Sequence, residues 1–427
     1  MSEPREPPSR TPRRSRLRRI AIDPTPLRIS RDFRLLWGGV FVSELGYQFT
    51  RVALYIQVFA QTNSTTAVGL LGLSGLLGQV TGTIVGGSFI DAHDRRRILL
   101  LSQVALAACA GVLFAGASLG PAPLALLYGT NAAMWFVGSI EGPARSAMIP
   151  RLVGSSLVPS ALALYQALWQ TVQIVGPGLA GLLIQWRGLP SAYGVDLITY
   201  SALFLAALTM RPMPPEHDPG SARGWGAVGE GFGYVRRHRL LQSTFAIDLI
   251  AMIFGMPQAL FPALAVSQFK RGTAVVGILF AAPAVGALLQ AMAAGWVKHV
   301  RRQGTAVIWA VIGWGAAIAA FGLVGDHLLA ALALLAVAGA ADVISAIFRS
   351  TILQVTVPDR LRGRLSGIHL LVVAGGPKLG DLEAGLVASW ISPAFAVVSG
   401  GLACIVGAGA IALVYPELRR YRAERAA

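Results

Sequence analysis

The sequence predicts an all-α integral membrane protein of twelve transmembrane helices in two parallel six-helix repeats, with both termini cytoplasmic. Three observations carry that prediction: apolar stretches of bilayer-spanning length, basic residues gathered on one side of them, and landmarks that recur halfway along the chain. Of 427 residues, 54% are hydrophobic and 13% charged, against roughly 25% charged in a soluble globular domain. Such a surface is solvated mostly by lipid.

A helix needs about 20 apolar residues to cross the hydrocarbon core. Stretches of that kind lie near residues 34–60, 66–90, 97–119, 122–142, 157–185, 190–210, 240–268, 274–297, 304–324, 327–348, 364–390 and 393–415. Each should be helical, because lipid offers no partner to an unpaired backbone group. Breakers close several of them: Gly120-Pro121-Ala122-Pro123, Gly188-Leu189-Pro190 and Ser392-Pro393. The basic N-terminus is not read as a secretory signal. The stretch after it is too long and contains Glu44 and Arg51.

The net charge is +16, and the distribution of the basic residues makes it a topology signal rather than a nucleic-acid footprint. Ten arginines precede residue 35, and the even-numbered connections and the C-terminal tail hold most of the rest. The odd-numbered connections hold only Arg187, Lys270 and Arg271, while Arg51 and Lys378 fall inside stretches. Both termini therefore belong on the basic, cytoplasmic side of a bacterial plasma (inner) membrane.

The chain also repeats itself. Arg34-Leu35-Leu36 returns as Arg239-Leu240-Leu241, and Ala67-Val68-Gly69 with Gly87 as Val275-Val276-Gly277 with Gly295. Arg145-Ser146 returns as Arg349-Ser350, and Gly176-Pro177 as Gly376-Pro377. An even number of helices per copy makes the repeats parallel, the plan in which two bundles rock about a central site. The expected division is a basic disordered tail over 1–30, bundles over 31–210 and 240–416, a linker over 211–239 and a tail over 417–427. The linker reads as an amphipathic helix with Trp225, Val228, Phe232 and Val235 on one face.

After the second stretch comes Gly87-Ser88-Phe89-Ile90-Asp91-Ala92-His93-Asp94-Arg95-Arg96. It resembles the G-x-x-x-D-[RK]-x-G-[RK]-[RK] loop of the major facilitator superfamily, and the likeness to that superfamily covers about residues 30–418. Within it the chain is most similar to the branch of enterobactin exporters and multidrug-efflux relatives of the drug:proton antiporter type. The resemblance implies a conformational latch at Gly87, Asp91, Arg95 and Arg96, rearranged where Ala92 and Asp94 depart from the pattern. Gly176-Pro177 with Gly181 resembles the core of an antiporter-associated motif, echoed by Gly376-Pro377. Independently of family, a proline removes one helix hydrogen bond and its glycines admit a close neighbour, giving a bend or a tight seal. Gly78, Gly82 and Gly86 read as plain close packing.

Ionisable groups at bilayer depth are costly and mark function by default. Glu44, Gln48, Arg51 and Tyr55 fall on one helical stripe expected to face a central cavity, with a Glu44–Arg51 packing pair as the plainer alternative. Asp248 lies nearer the cytoplasmic end, where it suits snorkelling or capping. Asp342 and Arg349 share a face; Arg349, Arg145 and Glu141 are expected as cytoplasmic-edge latch residues. Lys378 and Asp381 are spaced to pair, with Glu383 turned away. Gln166, Gln170 and Gln173, flanked by Tyr165 and Trp169, form an amide and aromatic wall suited to an amphipathic organic molecule, and Gln258 is a further cavity candidate.

The expectation is a secondary transporter, a monomer that expels amphipathic drugs or secondary metabolites in exchange for protons. Glu44, Asp342, Asp381 and Asp248 are the proton-coupling candidates, since coupling needs a carboxyl that burial can keep protonated. Siderophore export is the alternative, with Arg51 and Lys378 receiving an anion; a lipid-translocating or non-transporting relative ranks below it. No phosphate-binding G-x-x-x-x-G-K-[ST] loop occurs, and the six histidines form no H-E-x-x-H pair, so ATP-driven transport and enzyme chemistry are not expected. Cys109 and Cys404 stand alone, and no metal, cofactor or nucleic acid is expected.

Overall fold

The computed structural model describes residues 23–214 and 232–423. The basic tail through residue 22, Trp225 and Val228 of the expected linker helix, and residues 424–427 lie outside them. Long helices run α1 Arg31–Thr62, α2 Thr65–Ala92, α3 Arg95–Leu119, α4 Leu124–Val153, α5 Val158–Arg187 and α6 Leu189–Thr209. They continue as α7 Arg239–Phe254, α8 Thr273–Ala293, α9 Gln303–Leu323, α10 Leu328–Thr356, α11 Asp359–Trp390 and α12 Pro393–Val414. Thr25–Ile29 forms a short helix with Pro26 buried, where the sequence reads as disordered tail.

Local chemistry sets the boundaries. Ser30, Ser64 and Ser392 accept from the backbone N–H three residues on, opening α1, α2 and α12. Gly154 and Gly188, at φ of 74° and 81°, end α4 and α5. Asp94 explains one departure from the loop pattern: it caps α3, accepting from Arg96 N at 2.8 Å and Arg97 N at 3.3 Å. Arg96 then donates to the Ala207 and Leu208 carbonyls at 2.7 and 2.6 Å, satisfying the last turn of α6. Gly87 has open space where a Cβ would stand, and Asp91 is exposed.

The apolar stretch 240–268 is not one continuous helix. It breaks at Gly255-Met256-Pro257 and resumes as a turn over Gln258–Leu260 and a short helix Phe261–Ser267. Pro257 has no N–H to give, and Trp314 Nε1 donates to the Gly255 carbonyl at 2.9 Å, absorbing one freed acceptor.

The first six long helices pack mainly on one another, α1 against α5 and α6, α2 against α4, and α3 against α4 and α6. In the second set α9 packs against α10 and α12, α8 against α10, and α7 against α11 and α12. The halves meet along two seams, α2 with α11 and α5 with α8. Among the described residues, nine helical stretches are long and apolar enough to cross a membrane. The long helices outside that set are α1, α4 and α11, which carry Glu44, Arg51, Glu141, Arg145, Lys378, Asp381 and Glu383. Large apolar side chains such as Leu329, Met292 and Trp390 face outward, as expected where lipid is the solvent.

The seams use the same residues twice. Gly69 of α2 meets Gly385 of α11, and Gly277 of α8 meets Gly181 of α5. The Thr65 hydroxyl donates to the Gly385 carbonyl at 2.9 Å, and the Thr273 hydroxyl to the Gly181 carbonyl at 3.4 Å. Lipid supplies no hydrophobic force to press helices together, so approach of bare backbones supplies the contact.

Candidate functional site

A cavity of about 170 Å³ opens between the halves, lined by Arg51, Gln170, Gln173, Gln258, Phe280 and Asp342 among others. A smaller one of about 30 Å³ adjoins it, with Tyr47, Tyr55, Asn131, Trp135 and Lys378 in its wall. Arg51 lines both.

Of the α1 stripe, Arg51 and Tyr55 line these cavities while Glu44 and Gln48 do not, and Arg51 does not pair with Glu44. Its Nη2 donates to Gln258 Oε1 at 2.6 Å and its Nη1 to Gln48 Oε1 at 3.4 Å. Phe280 lies under the guanidinium, its centroid 5.3 Å away. The Gln48 amide in turn donates to Gln173. The break in α7 is what turns Gln258 toward Arg51, and Arg145 of α4 reaches Glu44 instead, at 3.0 Å.

Lys378 and Asp381 also take separate partners. Lys378 donates to Gln79 and, at 2.8 Å, to the Ala374 carbonyl, with Nζ 3.5 Å from the Trp135 ring centroid. Asp381 accepts from the Tyr55 hydroxyl at 2.5 Å and from Ala259 N at 2.9 Å. That backbone N–H is available because α7 is interrupted. Asp381 therefore ties α11 to α1 and to the broken segment of α7.

Two arginine clusters flank the cavity, one in each half. Arg145 bridges Glu44 at 3.0 Å and Glu141 at 3.4 Å. Gln103 steadies Glu141 at 3.0 Å and accepts from Ser43 at 3.2 Å. In the other half Arg349 pairs with Asp248 and lies 3.8 Å from Asp342. Glu44 and Asp248 are 204 residues apart, as are Arg145 and Arg349, so the two clusters occupy matching places in the repeat. These placements bear on the latch and snorkelling expectations. Arg349 and Glu141 are buried, Arg145 is half-buried and all three pair within their own halves, while Asp248, 1% exposed, is not snorkelling. Each acid lies beside an arginine: Glu44 and Asp248 meet one on another helix, and Glu141 and Asp342 one on their own.

The glycine–proline pairs sit at close approaches. A Cβ on Gly176 would lie 2.7 Å from Gln48 Cβ, and one on Gly376 would lie 2.6 Å from Met252 Cβ. The Pro177 carbonyl faces Gly277, where any side chain would overlap it. The α5 wall is only half realised: Gln170 and Gln173 reach the cavity, whereas Gln166 and Trp169 are exposed on its outside. Tyr165 packs beside Arg145, its ring centroid 5.9 Å from the guanidinium. Glu383 is half-buried and outside both cavity walls.

Sequence reasoning missed Gln79, Gln103, Asn131, Trp135, Phe280 and Asp196. Gln103 and Asp196 carried the same signal as the acids above, a polar group inside an apolar stretch. The aromatic residues carried none that separates them from ordinary packing.

Residues 23–426 match the model of the transmembrane secretion effector family. The chain is 26% identical over 396 residues to the enterobactin exporter EntS of Shigella boydii serotype 18, covering 91% of this chain and 93% of the relative. The exporter of the same name from Escherichia coli O81 matches with the same identity and coverage. Among solved structures it resembles the nucleoside transporter NupG, with a TM-score of 0.74 at 14% identity over 90% of this chain and 100% of that one. It also resembles a bacterial homologue of the iron transporter ferroportin in an inward-facing state, with a TM-score of 0.68 at 13% identity over 91% and 99% of the two chains. At such identities the structural likeness speaks for the fold alone.

Proposed function

The chain belongs to the transmembrane secretion effector family, within the major facilitator superfamily, and from that premise we propose proton-coupled export of a small amphipathic organic molecule by alternating access. It is a multi-pass inner-membrane transporter of bacteria and not an enzyme. In the proposed topology all twelve long segments span the bilayer and both termini are cytoplasmic. Bundles over 31–210 and 240–416 rock against each other across the two glycine seams, with 211–239 as the connection.

One observation supports the coupling most directly. Each cluster holds two carboxyl groups around a single arginine, so one acid in each is surplus. The surplus members are the more accessible ones. Glu44 and Asp342 side chains are 18% and 29% exposed, against 6% for Glu141 and 1% for Asp248. Glu141 and Asp248 act as fixed partners of the arginines, and Glu44 and Asp342 exchange protons. Asp342 is also part of the cavity wall, so cargo settling beside it changes the cost of its charge. Asp381 adds a carboxyl whose hydrogen bond from Tyr55 spans the halves.

A second reading, export of an anionic siderophore, is favoured by Arg51. It enters both cavities with amide and aromatic partners, and among the described residues its charge has no carboxylate counterpart at hydrogen-bond distance. Arg51→Gln separates the two. If the cargo is anionic, the substitution should lower export of a catecholate siderophore at least tenfold and spare a lipophilic cation, both followed as efflux from loaded vesicles. Equal export of both cargoes by the variant removes Arg51 from cargo recognition.

A further inference from the structure

Asp196 of α6 belongs to neither arginine cluster and lines neither cavity. It is 0% exposed, in a seam where Gly46 of α1 admits Thr199 so closely that any Cβ would overlap its hydroxyl. The hydroxyls of Thr50 on α1 and Tyr200 on α6 flank the carboxyl. Both residues are themselves buried, and none of these oxygens completes a hydrogen bond. Among the described residues, the ionisable groups around the pocket are Glu44 and Tyr47 of α1 and Tyr200 of α6, with Glu141 of α4 beyond Tyr200 and Arg51 of α1 beyond Tyr47. All but Arg51 are acids or phenols, and Arg51 acts on Tyr47 rather than on Asp196. A carboxylate buried with no cation opposite it is among the most expensive groups a protein can carry. Packing gives no reason for it, because an asparagine or a leucine would fill α6 without that cost.

We propose that Asp196, with the Thr50 and Tyr200 hydroxyls, is a proton-binding site in the α1–α6 seam, separate from the arginine clusters. As a neutral acid, Asp196 donates its O–H to one flanking hydroxyl oxygen; as a carboxylate it accepts from both hydroxyls. Uptake forms the O–H bond with a proton from hydrated hydronium, and release returns that proton to water. Tyr47 offers the route, since it lines the smaller cavity and lies close enough to Asp196 to feel its charge. The change from one donated hydrogen bond to two accepted ones alters how α6 holds α1, the helix that bears Glu44, Gln48 and Arg51. The use of this site in transport rests on the proton-coupled reading above; its existence does not.

The test is infrared difference spectroscopy on the full-length protein in vesicles of neutral lipid, stepped between mildly acidic and mildly alkaline buffer. The expected result is a carbonyl-stretch band of a protonated carboxyl, absent in Asp196→Asn and shifted in frequency in Tyr200→Phe. In the same vesicles, proton flux driven by a lipophilic cation should fall at least tenfold in Asp196→Asn and recover in Asp196→Glu. A band unchanged by both substitutions overturns the proposal, as does one that responds to sodium ions and not to acid. If the unaltered protein gives no cargo-driven proton flux, the coupling reading fails while the band still decides the site. Should Asp196→Asn not fold, Tyr200→Phe and Asp196→Glu carry the same comparison, and an unshifted band in both counts against it.

Discussion

Arg349→Met is expected to destabilise the protein by about 3–5 kcal/mol, the usual consequence of removing one member of a buried ion pair. The guanidinium is 1% exposed and serves two acids, of which Asp248 is equally buried. Methionine fills much of the same volume, so the loss is electrostatic rather than a cavity. What remains is a buried carboxylate that has lost its arginine. The change should appear as a lower thermal unfolding midpoint of the detergent-solubilised protein and a poor membrane yield. Adding Asp248→Asn to the same chain should recover most of it, because the stranded charge is then gone. The matching Arg145→Met should be milder, since Arg145 and Glu44 side chains are 15% and 18% exposed and water can reach them. An Arg349→Met protein as stable as the unaltered one means that Asp248 is neutral without its arginine, and the cluster loses its stated role.

Gly277→Leu is expected to leave the protein folded and inserted but to block transport. A side chain there would overlap the Pro177 carbonyl and come within 3.0 Å of the Gly181 backbone. Backbone atoms cannot rotate away as the end of a side chain can. Overpacking of this kind costs about 1–3 kcal/mol, all of it charged to the state in which α5 and α8 touch. The closed population then falls roughly 5- to 150-fold at 1.4 kcal/mol per tenfold. Cargo efflux from vesicles should fall by a similar factor, with a near-normal unfolding midpoint. Gly313→Leu is the control, because nothing lies within 4 Å of a Cβ at that position. Normal efflux in Gly277→Leu shows that this seam does not need to close.

Helix positions were legible because length and apolarity act locally: each stretch begins within about five residues of a helix start, although α4 and α10 run on to Val153 and Thr356, past the expected 142 and 348. The break in α7 was not, although Gly255 and Pro257 stand in the stretch, since membrane helices tolerate both and only the contact from Trp314 shows the interruption satisfied. The two halves' correspondence was visible in Arg145 and Arg349, in Gly176 and Gly376, and in Gly69 and Gly277. Which acid each arginine meets was not. Spacing along α1 allows Glu44 to reach Arg51, but the crossing with α4 brings Arg145 nearer. Spacing along α11 likewise allows Lys378 to reach Asp381, yet α2 presents Gln79 and the broken α7 presents Ala259 N first. A sequence displays what one helix can pair within itself; partners across helices depend on crossings that it does not display. Asp196 is the opposite case, a carboxyl in plain view inside an apolar stretch whose isolation only the packing reveals.

The central claim is that cargo and protons compete through the surplus carboxyl in the cavity wall. The most direct measurement is proton flux in sealed vesicles holding a trapped pH dye, under an imposed proton gradient, with a lipophilic cation or a catecholate siderophore added in turn. The unaltered protein should give cargo-dependent proton movement, and Asp342→Asn and Glu44→Gln should each abolish it while cargo binding persists. Undiminished, cargo-dependent proton movement in both variants would contradict the account.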